Sequence, residues 1–350
     1  MKKGLEFLSN RIVVSIILII IQIIAILIFA YTLFIDLWVF KIIFTMLSLL
    51  VVLYIINKDD DPSYKIIWLV PILSFPVFGG VLYLTFGNKK PAKKLQIAFD
   101  KQSKATNPYI YPNHVLEEIA DPIIKGQIKY LVNENFPVYN NSEIKYYSLG
   151  EEAYLDLLEE LAKAKHFIFM EYFIVEEGKM FDAVLNILKQ KVKEGVEVRF
   201  MYDDVGSLTM LPFKYYQKLE SYGIKCISFN HFVPFISAVM NTRDHRKITV
   251  IDGNIGFSGG FNLADEYINE KVKYGHWKDT GVMIKGEAVW NLTLMFLVTW
   301  NASLNSFEDY DKYHPRHYSV DKIRPDGYIL PYGDSPFDNK PVGKSVYLNM

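Results

Sequence analysis

The sequence predicts an α/β protein preceded by apolar, membrane-type helices, and three observations carry that expectation. Residues 1–87 are strongly apolar, whereas the remainder has ordinary globular composition. From residue 143 onward, apolar strand-like runs alternate with amphipathic helix-like runs, the pattern of a sheet covered by helices on both faces. Between residues 241 and 262, a histidine, a lysine and an asparagine gather around a short β-branched run. About 260 residues follow the apolar part, enough for one or two domains.

Composition excludes some classes of function. The 350 residues carry a net charge of −1, so no global field draws in polyanions, and no nucleic-acid partner is expected. The one cysteine, Cys226, leaves no internal disulfide and no multi-cysteine metal site. It falls in the apolar run 224–229 and reads as core.

The membrane region is expected to occupy residues 1–92. Residues 12–35 are interrupted only by Ser15, Gln22 and Thr32, and a span needs about 20 apolar residues. The run is too long for a cleaved leader, and no small-residue cleavage site follows it. A second run covers 37–56, separated from the first by Asp36 alone. A third covers 66–86 and contains Pro71, Pro76 and the pair Gly79-Gly80. Prolines and glycines are tolerated in membrane helices when neighbours re-satisfy the backbone; the third run also reads as a re-entrant segment. Lys2, Lys3 and Arg11 precede the first run, and Lys89, Lys90, Lys93 and Lys94 follow the third. The positive-inside rule wants both flanks in the cytoplasm. Three crossings separate them; two crossings and a re-entrant segment do not.

Residues 93–142 read as a linker with helical pieces, because Pro108, Pro112, Pro122 and Pro137 prevent a long helix. The first α/β domain is expected over 143–325. Residues 151–165 form an amphipathic helix with leucines at 155, 158 and 161. Residues 167–175 form an apolar strand containing Glu171, which reads either as an ion-pair partner or as a site residue. Residues 180–194 form a helix that stops at Gly195. A strand over 196–202 ends at Asp203-Asp204, which reads as a turn and cap or, at an edge shared with the segment 241–262, as a pair of site carboxylates of the kind that suits Mg²⁺. A helix over 213–222 and a strand over 224–229 follow. The aromatic loop 230–238 reads as core packing or as an acyl-chain groove. Strand 282–284 and a packed helix over 288–304 close the domain.

The segment between them carries the chemistry. It reads H-x-K-x4-D-x6-G-G-x-N, from His245 through Lys247, Asp252, Gly259 and Gly260 to Asn262. Residues 248–251 form a short buried strand, and alternation places His245 and Lys247 on one face at its entry. A turn at Gly253-Asn254 and a strand over 256–258 return Gly260 and Asn262 towards the first strand. An imidazole, an ammonium and an amide at one edge suit attack on a phosphodiester, whose spreading negative charge needs cations and donors. A largely unprotonated histidine is a competent nucleophile.

This spacing resembles the HKD motif of the phospholipase D superfamily. N-T-R-D-H-R-K followed by I-D-G and G-G-F-N resembles the bacterial cardiolipin synthases more narrowly, with Gly260 where the superfamily more often has serine. The resemblance implies a phospholipase D-like α/β sandwich and a phosphohistidine route. His245, Lys247 and Asp252 would be the catalytic residues, with Lys247, Asn262 and Gly260 around the substrate phosphate. That route needs no metal and no cofactor. The implied reaction converts two phosphatidylglycerols to cardiolipin and glycerol, in a multi-pass protein of the cell membrane acting on phosphatidylglycerol and other membrane phospholipids. Alternatives are a hydrolase of the same superfamily working as a homodimer, and an inactive fragment. Members of the superfamily pair two such motifs, and this chain shows one. Gly343-x-x-x-Tyr347-Leu348 repeats Gly150-x-x-x-Tyr154-Leu155, so residues 326–350 read as the start of an incomplete second phospholipase D-like domain. The second half would then come from C-terminal sequence missing here or from a homodimer.

Overall fold

A computed structural model describes residues 38–350 apart from 59, 61, 88–92, 111–113, 233–241, 319–322, 324–326 and 338–339, together with parts of 17–31. The first apolar run, 12–35, lies largely outside the described residues, as does most of the aromatic loop 230–238. The chain forms two compact units.

The N-terminal unit contains α1 (Trp38–Asn57), α2 (Pro62–Ser74) and α3 (Pro76–Phe86). The third apolar run is therefore not one helix but two. Pro76 disfavours helical geometry at Phe75, which takes φ −138° and ψ 75°, and the chain reverses there. The hairpin closes tightly because Gly79 lies against backbone: a Cβ on it would stand 2.5 Å from Ile72 Cα. Ser48 of α1 donates its hydroxyl to the Pro76 carbonyl. Among the described residues, no helix is long and apolar enough to cross a membrane.

The second unit is a seven-stranded mixed sheet, in the order β1-β7-β6-β5-β2-β3-β4. Its strands are β1 (Ser142–Tyr147), β2 (Phe167–Tyr172), β3 (Glu197–Asp203), β4 (Lys225–Phe229), β5 (Ile248–Ile251), β6 (Ile255–Gly259) and β7 (Gly281–Gly286). Strands β2, β3 and β4 run parallel; β5, β6, β7 and β1 continue the sheet in antiparallel pairs. The sequence reading did not include β1, whose central residues are exposed at a sheet edge. Strand alternation gives each face a core. Ile168, Met170 and Tyr172 of β2 join Val198, Phe200 and Tyr202 of β3 on one face. There they meet the buried Leu157 and Leu161 of the helix Gly150–Lys163 and Leu185 and Leu188 of the helix Lys179–Lys193. Phe167, Phe169 and Met201 point the other way, against the almost wholly buried helix Val289–Leu304.

The stretch expected as a linker is built into this unit. Its helix Lys93–Ala105 places Phe99 on the second face, stacked on Phe337 at 3.8 Å and edge-on to Phe229. Gln102 accepts from Tyr310 and donates to the Ser306 carbonyl. The C-terminal segment also packs here. Ile329 bridges to Tyr139, and Val342 and Val346 of the helix Val342–Asn349 pack on Leu131.

Phe99 is 6% exposed, so Phe99→Ala removes an aromatic anchor and leaves a cavity. We expect a loss of about 3 kcal/mol of stability, read from denaturant unfolding in detergent by tryptophan fluorescence. A change below about 1 kcal/mol would show that the helix Lys93–Ala105 is a peripheral attachment rather than part of the core.

Candidate active site

Sheet topology brings one set of strand ends to a common edge. The carboxyl ends of the parallel strands β2, β3 and β4 lie there, where ligands of such sheets bind. Because β5 is antiparallel to β2, its entry lies at the same edge and delivers His245 and Lys247. The exit of β6 delivers Gly260 and Asn262, and the entry of β7 delivers Asp279.

Lys247 is buried, 5% exposed, and its Nζ donates to the His245 carbonyl at 2.6 Å and lies 3.2 Å from His245 Nδ1. Phe173, just past β2, faces both: its ring lies 4.7 Å from the imidazole and 5.5 Å from the ammonium. Among the described residues, no carboxylate makes an ion pair with Lys247. A buried ammonium is ordinarily paired; this one keeps donor capacity for an anion. Burial pulls its pKa down to about 8, opposed by the charges of Asp244 and Asp279. Burial and the neighbouring Lys247 charge also lower the His245 pKa from its ordinary value, leaving the imidazole neutral at pH 7.

The residues between and behind these two fix the backbone. Arg246 alternates to the opposite side, where its Nε lies 2.9 Å from Glu171 and 3.0 Å from Asp244. Its guanidinium also donates to Thr299. Burial pushes the Glu171 carboxyl well above the usual range, against the pull of Arg246, so Glu171 is the protonated member and Asp244 the charged one. Of the two readings of Glu171, the partner of Arg246 is the one seen, its carboxyl 2.9 Å from the guanidinium and turned away from His245 and Lys247. Asp203 accepts the Asp244 amide at 3.1 Å and the Val205 and Gly206 amides at 2.9 and 3.0 Å. It forms the expected turn and also holds the residue before His245.

The remaining motif residues divide. Asn262 is 2% exposed; its Oδ1 accepts from the Ile174 amide at 2.9 Å and its Nδ2 donates to Tyr267 at 2.8 Å. It buttresses the turn after β2 and retains one Nδ2 hydrogen. The Gly260 amide donates to the Thr280 carbonyl at 2.9 Å, and a Cβ there would stand 1.8 Å from Asp279 Oδ1. Glycine thus makes room for Asp279, a site residue the sequence reading passed over; its place directly before a strand of this edge was the available signal. Asp252 is not brought to this group. It sits at the far end of β5, about 16 Å along the strand from Lys247 at about 3.3 Å per residue. There it accepts the amides of Lys165, His166 and Phe167 at 2.8, 2.7 and 2.8 Å, fixing the start of β2.

Residues 157–289 match the family model described as "Cardiolipin synthase, PLD-like domain", and residues 46–88 match "Phospholipase_D-nuclease N-terminal". The chain belongs to the phospholipase D superfamily. An uncharacterized protein of Streptococcus mutans is 40% identical over 303 residues, covering 85% of this chain and 65% of that one. A cardiolipin synthase of Alkalihalophilus pseudofirmus is 31% identical over 317 residues, covering 89% and 62%. A cardiolipin synthase of Geobacillus sp. is 36% identical over 262 residues, covering 72% and 51%. The chain thus spans between half and two thirds of the length of these superfamily relatives.

The contact between Gly260 and Asp279 is testable without a substrate. Asp279→Asn removes a charge that supports Lys247 protonation, so the Lys247 pKa falls further below about 8. Gly260→Ala displaces the carboxylate and produces the same direction of change, and the double variant adds little beyond either alone. Selective ¹⁵N-lysine NMR titration measures all three; an unaltered Lys247 pKa in Gly260→Ala would mean the carboxylate does not occupy that position.

Proposed function

We propose that this site transfers a phosphatidyl group from one phosphatidylglycerol to another, giving cardiolipin and glycerol through a phosphohistidine. The observation that carries the reading is the buried Lys247 ammonium without a carboxylate partner among the described residues, held beside a neutral imidazole. Such a cation is a preformed counter-charge for a phosphodiester and for the greater charge of its transition state. The names borne by the relatives support the choice of lipid, and the apolar N-terminal region supports a protein attached to the cell membrane, where donor and acceptor both reside.

In the first step, a His245 ring nitrogen attacks phosphorus. The P–N bond forms as the P–O bond to the headgroup glycerol breaks, and that glycerol leaves with a proton from a general acid. In the second step, the glycerol hydroxyl of another phosphatidylglycerol attacks phosphorus and passes its proton to the group that protonated the first leaving oxygen, while the P–N bond breaks and its electron pair returns to the imidazole. Lys247 neutralises phosphate oxygen throughout, and the remaining Asn262 N–H is an additional donor at the same sheet edge. The Gly260 contribution is space for Asp279 rather than a direct contact. Asp252 acts on the scaffold, through the start of β2. His245 cannot hold phosphorus and protonate the leaving oxygen at the same moment, so the acid must be another group. A second histidine-bearing half, from further sequence of the same polypeptide or from a second copy of this chain, is the proposed source.

Two outcomes are expected. His245→Ala lowers cardiolipin formation from labelled phosphatidylglycerol vesicles by several orders of magnitude, about the usual cost of losing a covalent nucleophile. Activity within about tenfold of the unaltered protein would remove His245 from that role. The pH profile is a bell. A histidine with a lowered pKa supplies its lone pair above that value, so activity falls as acidification passes through it, at a lower pH than for an ordinary imidazole. It also falls as Lys247 deprotonates near about 8. Lys247→Arg removes the alkaline limb, because the guanidinium stays charged.

A further inference from the structure

The hairpin of α2 and α3 carries an inference about the membrane that rests on the proposed membrane attachment and sharpens it. Three geometric facts bear on it. First, both helices are short. Thirteen and eleven residues extend about 20 and 16 Å at about 1.5 Å per residue, against a hydrocarbon core about 30 Å thick. Second, the open ends of the hairpin meet. Tyr64, in the first turn of α2, donates its hydroxyl to the carbonyl of Gly87, just past α3, at 2.9 Å. Lys65 donates to the Ile56 carbonyl at the end of α1 at 3.0 Å. The exit of α1, the entry of α2 and the exit of α3 therefore share one end of this unit. Third, the two ends differ in chemistry. The shared end carries Lys58, Asp60 and Lys65 and a cluster of aromatics, with Trp68 edge-on to Tyr64 and to Tyr83 at 6.4 and 5.4 Å. Towards the opposite end the chain from Ile66 to Phe86 carries no charged residue. Beyond the aromatics Val70, Leu73 and Phe75 are each 59% or more exposed, and Ile66, Ile67 and Leu84 flank the aromatic cluster with similar exposure.

A contiguous apolar surface of this size is not left to water in a soluble protein. The occupant is fixed by the gradient along the hairpin. Lysine, tyrosine and tryptophan form the belt that membrane proteins place at the headgroup level, and the apolar flanks and tip beyond it match acyl chains. A second protein surface would explain the apolar flanks but not the ordering of charge, aromatic belt and apolar tip. We propose that residues 62–86 form a re-entrant hairpin, which dips into one leaflet with Phe75 at its tip and leaves on the side from which it entered. The flank charges agree. If the runs 12–35 and 37–56 each cross, as the sequence suggests, a third crossing at 66–86 would put Lys2, Lys3 and Arg11 on the opposite side from Lys89, Lys90, Lys93 and Lys94, and withdrawing it would put all seven on one side, as the positive-inside rule requires.

The test is cysteine accessibility in the full chain, after the buried Cys226 has been replaced by alanine. Cysteine is placed singly at Asp60, Phe75 and Lys94, and a membrane-impermeant maleimide is applied to intact and permeabilised cells. Asp60→Cys and Lys94→Cys should label under the same condition, and Phe75→Cys under neither. Labelling of Asp60→Cys and Lys94→Cys under opposite conditions overturns the hairpin in favour of a crossing. Labelling of Phe75→Cys from the side opposite Asp60 overturns it as well. Alkaline carbonate washing of the same membranes separates this from failure of the membrane reading itself. Retention in the pellet with opposite-side labelling sinks only the hairpin, while full release into the supernatant sinks both.

Discussion

The guanidinium of Arg246 is the contact on which the site depends. It lies in sequence between His245 and Lys247, and strand alternation turns it away from them into the protein. There it sits between Glu171 and Asp244, with Thr299 of the long buried helix completing its hydrogen bonds. Two carboxyls and one cation in the interior are costly unless they neutralise one another. With Glu171 protonated and Asp244 charged, the cluster is neutral. Breaking it would leave a buried charge unmatched, so the backbone between His245 and Lys247 is fixed by a large penalty rather than by a loop's own preference. Asp203 adds a second restraint from β3, through the Asp244 amide.

The same economy explains the electrostatics on the open side of the strand. Lys247 has been taken out of water without an ion-pair partner among the described residues, and burial lowers its pKa to about 8. The unmatched charge is a local cost that an incoming phosphate oxygen would relieve. The imidazole beside it feels that charge and stays neutral, which is the form that can attack phosphorus. Asp279 tempers the arrangement from across Gly260: close enough to support the protonated ammonium, not close enough to pair with it. A side chain at residue 260 would occupy the space this requires.

The superfamily motif also serves the scaffold. Asp252 gathers three amides at the start of β2, so the strand that contributes Glu171 and Phe173 begins at a fixed point. Asn262 ties the turn after β2 to Tyr267. These two polar residues therefore clamp opposite ends of β2, and β2 is the strand at which the parallel and antiparallel halves of the sheet join.

Local sequence determined a good deal by itself. The continuous apolar runs at 167–172 and 248–251, the mostly apolar strand at 197–203 and the amphipathic periodicity of the helices around 150–163 and 179–193 are all legible in local composition and spacing, which need no knowledge of neighbours. The H-x-K spacing likewise places two side chains on one face because a strand repeats every two residues. Pairing and burial are different quantities, and only the tertiary structure decided them. Nothing local tells β5 to lie antiparallel to β2, and that choice is what carries His245 to the carboxyl edge. Glu171 looked equally like a site residue until Arg246 and Asp244 closed around it. Asp252 belongs to the motif in sequence, yet lies at the far end of a strand whose length sets the separation. The run 66–86 has the composition of a single span, and it becomes a hairpin because Pro76 breaks it and Gly79 lets its two halves meet. Residues 93–142 read as a linker because of their prolines, and local sequence does not show that the helix Lys93–Ala105 packs into the core, because its partners, Phe229 and Phe337, lie more than 100 residues away in sequence.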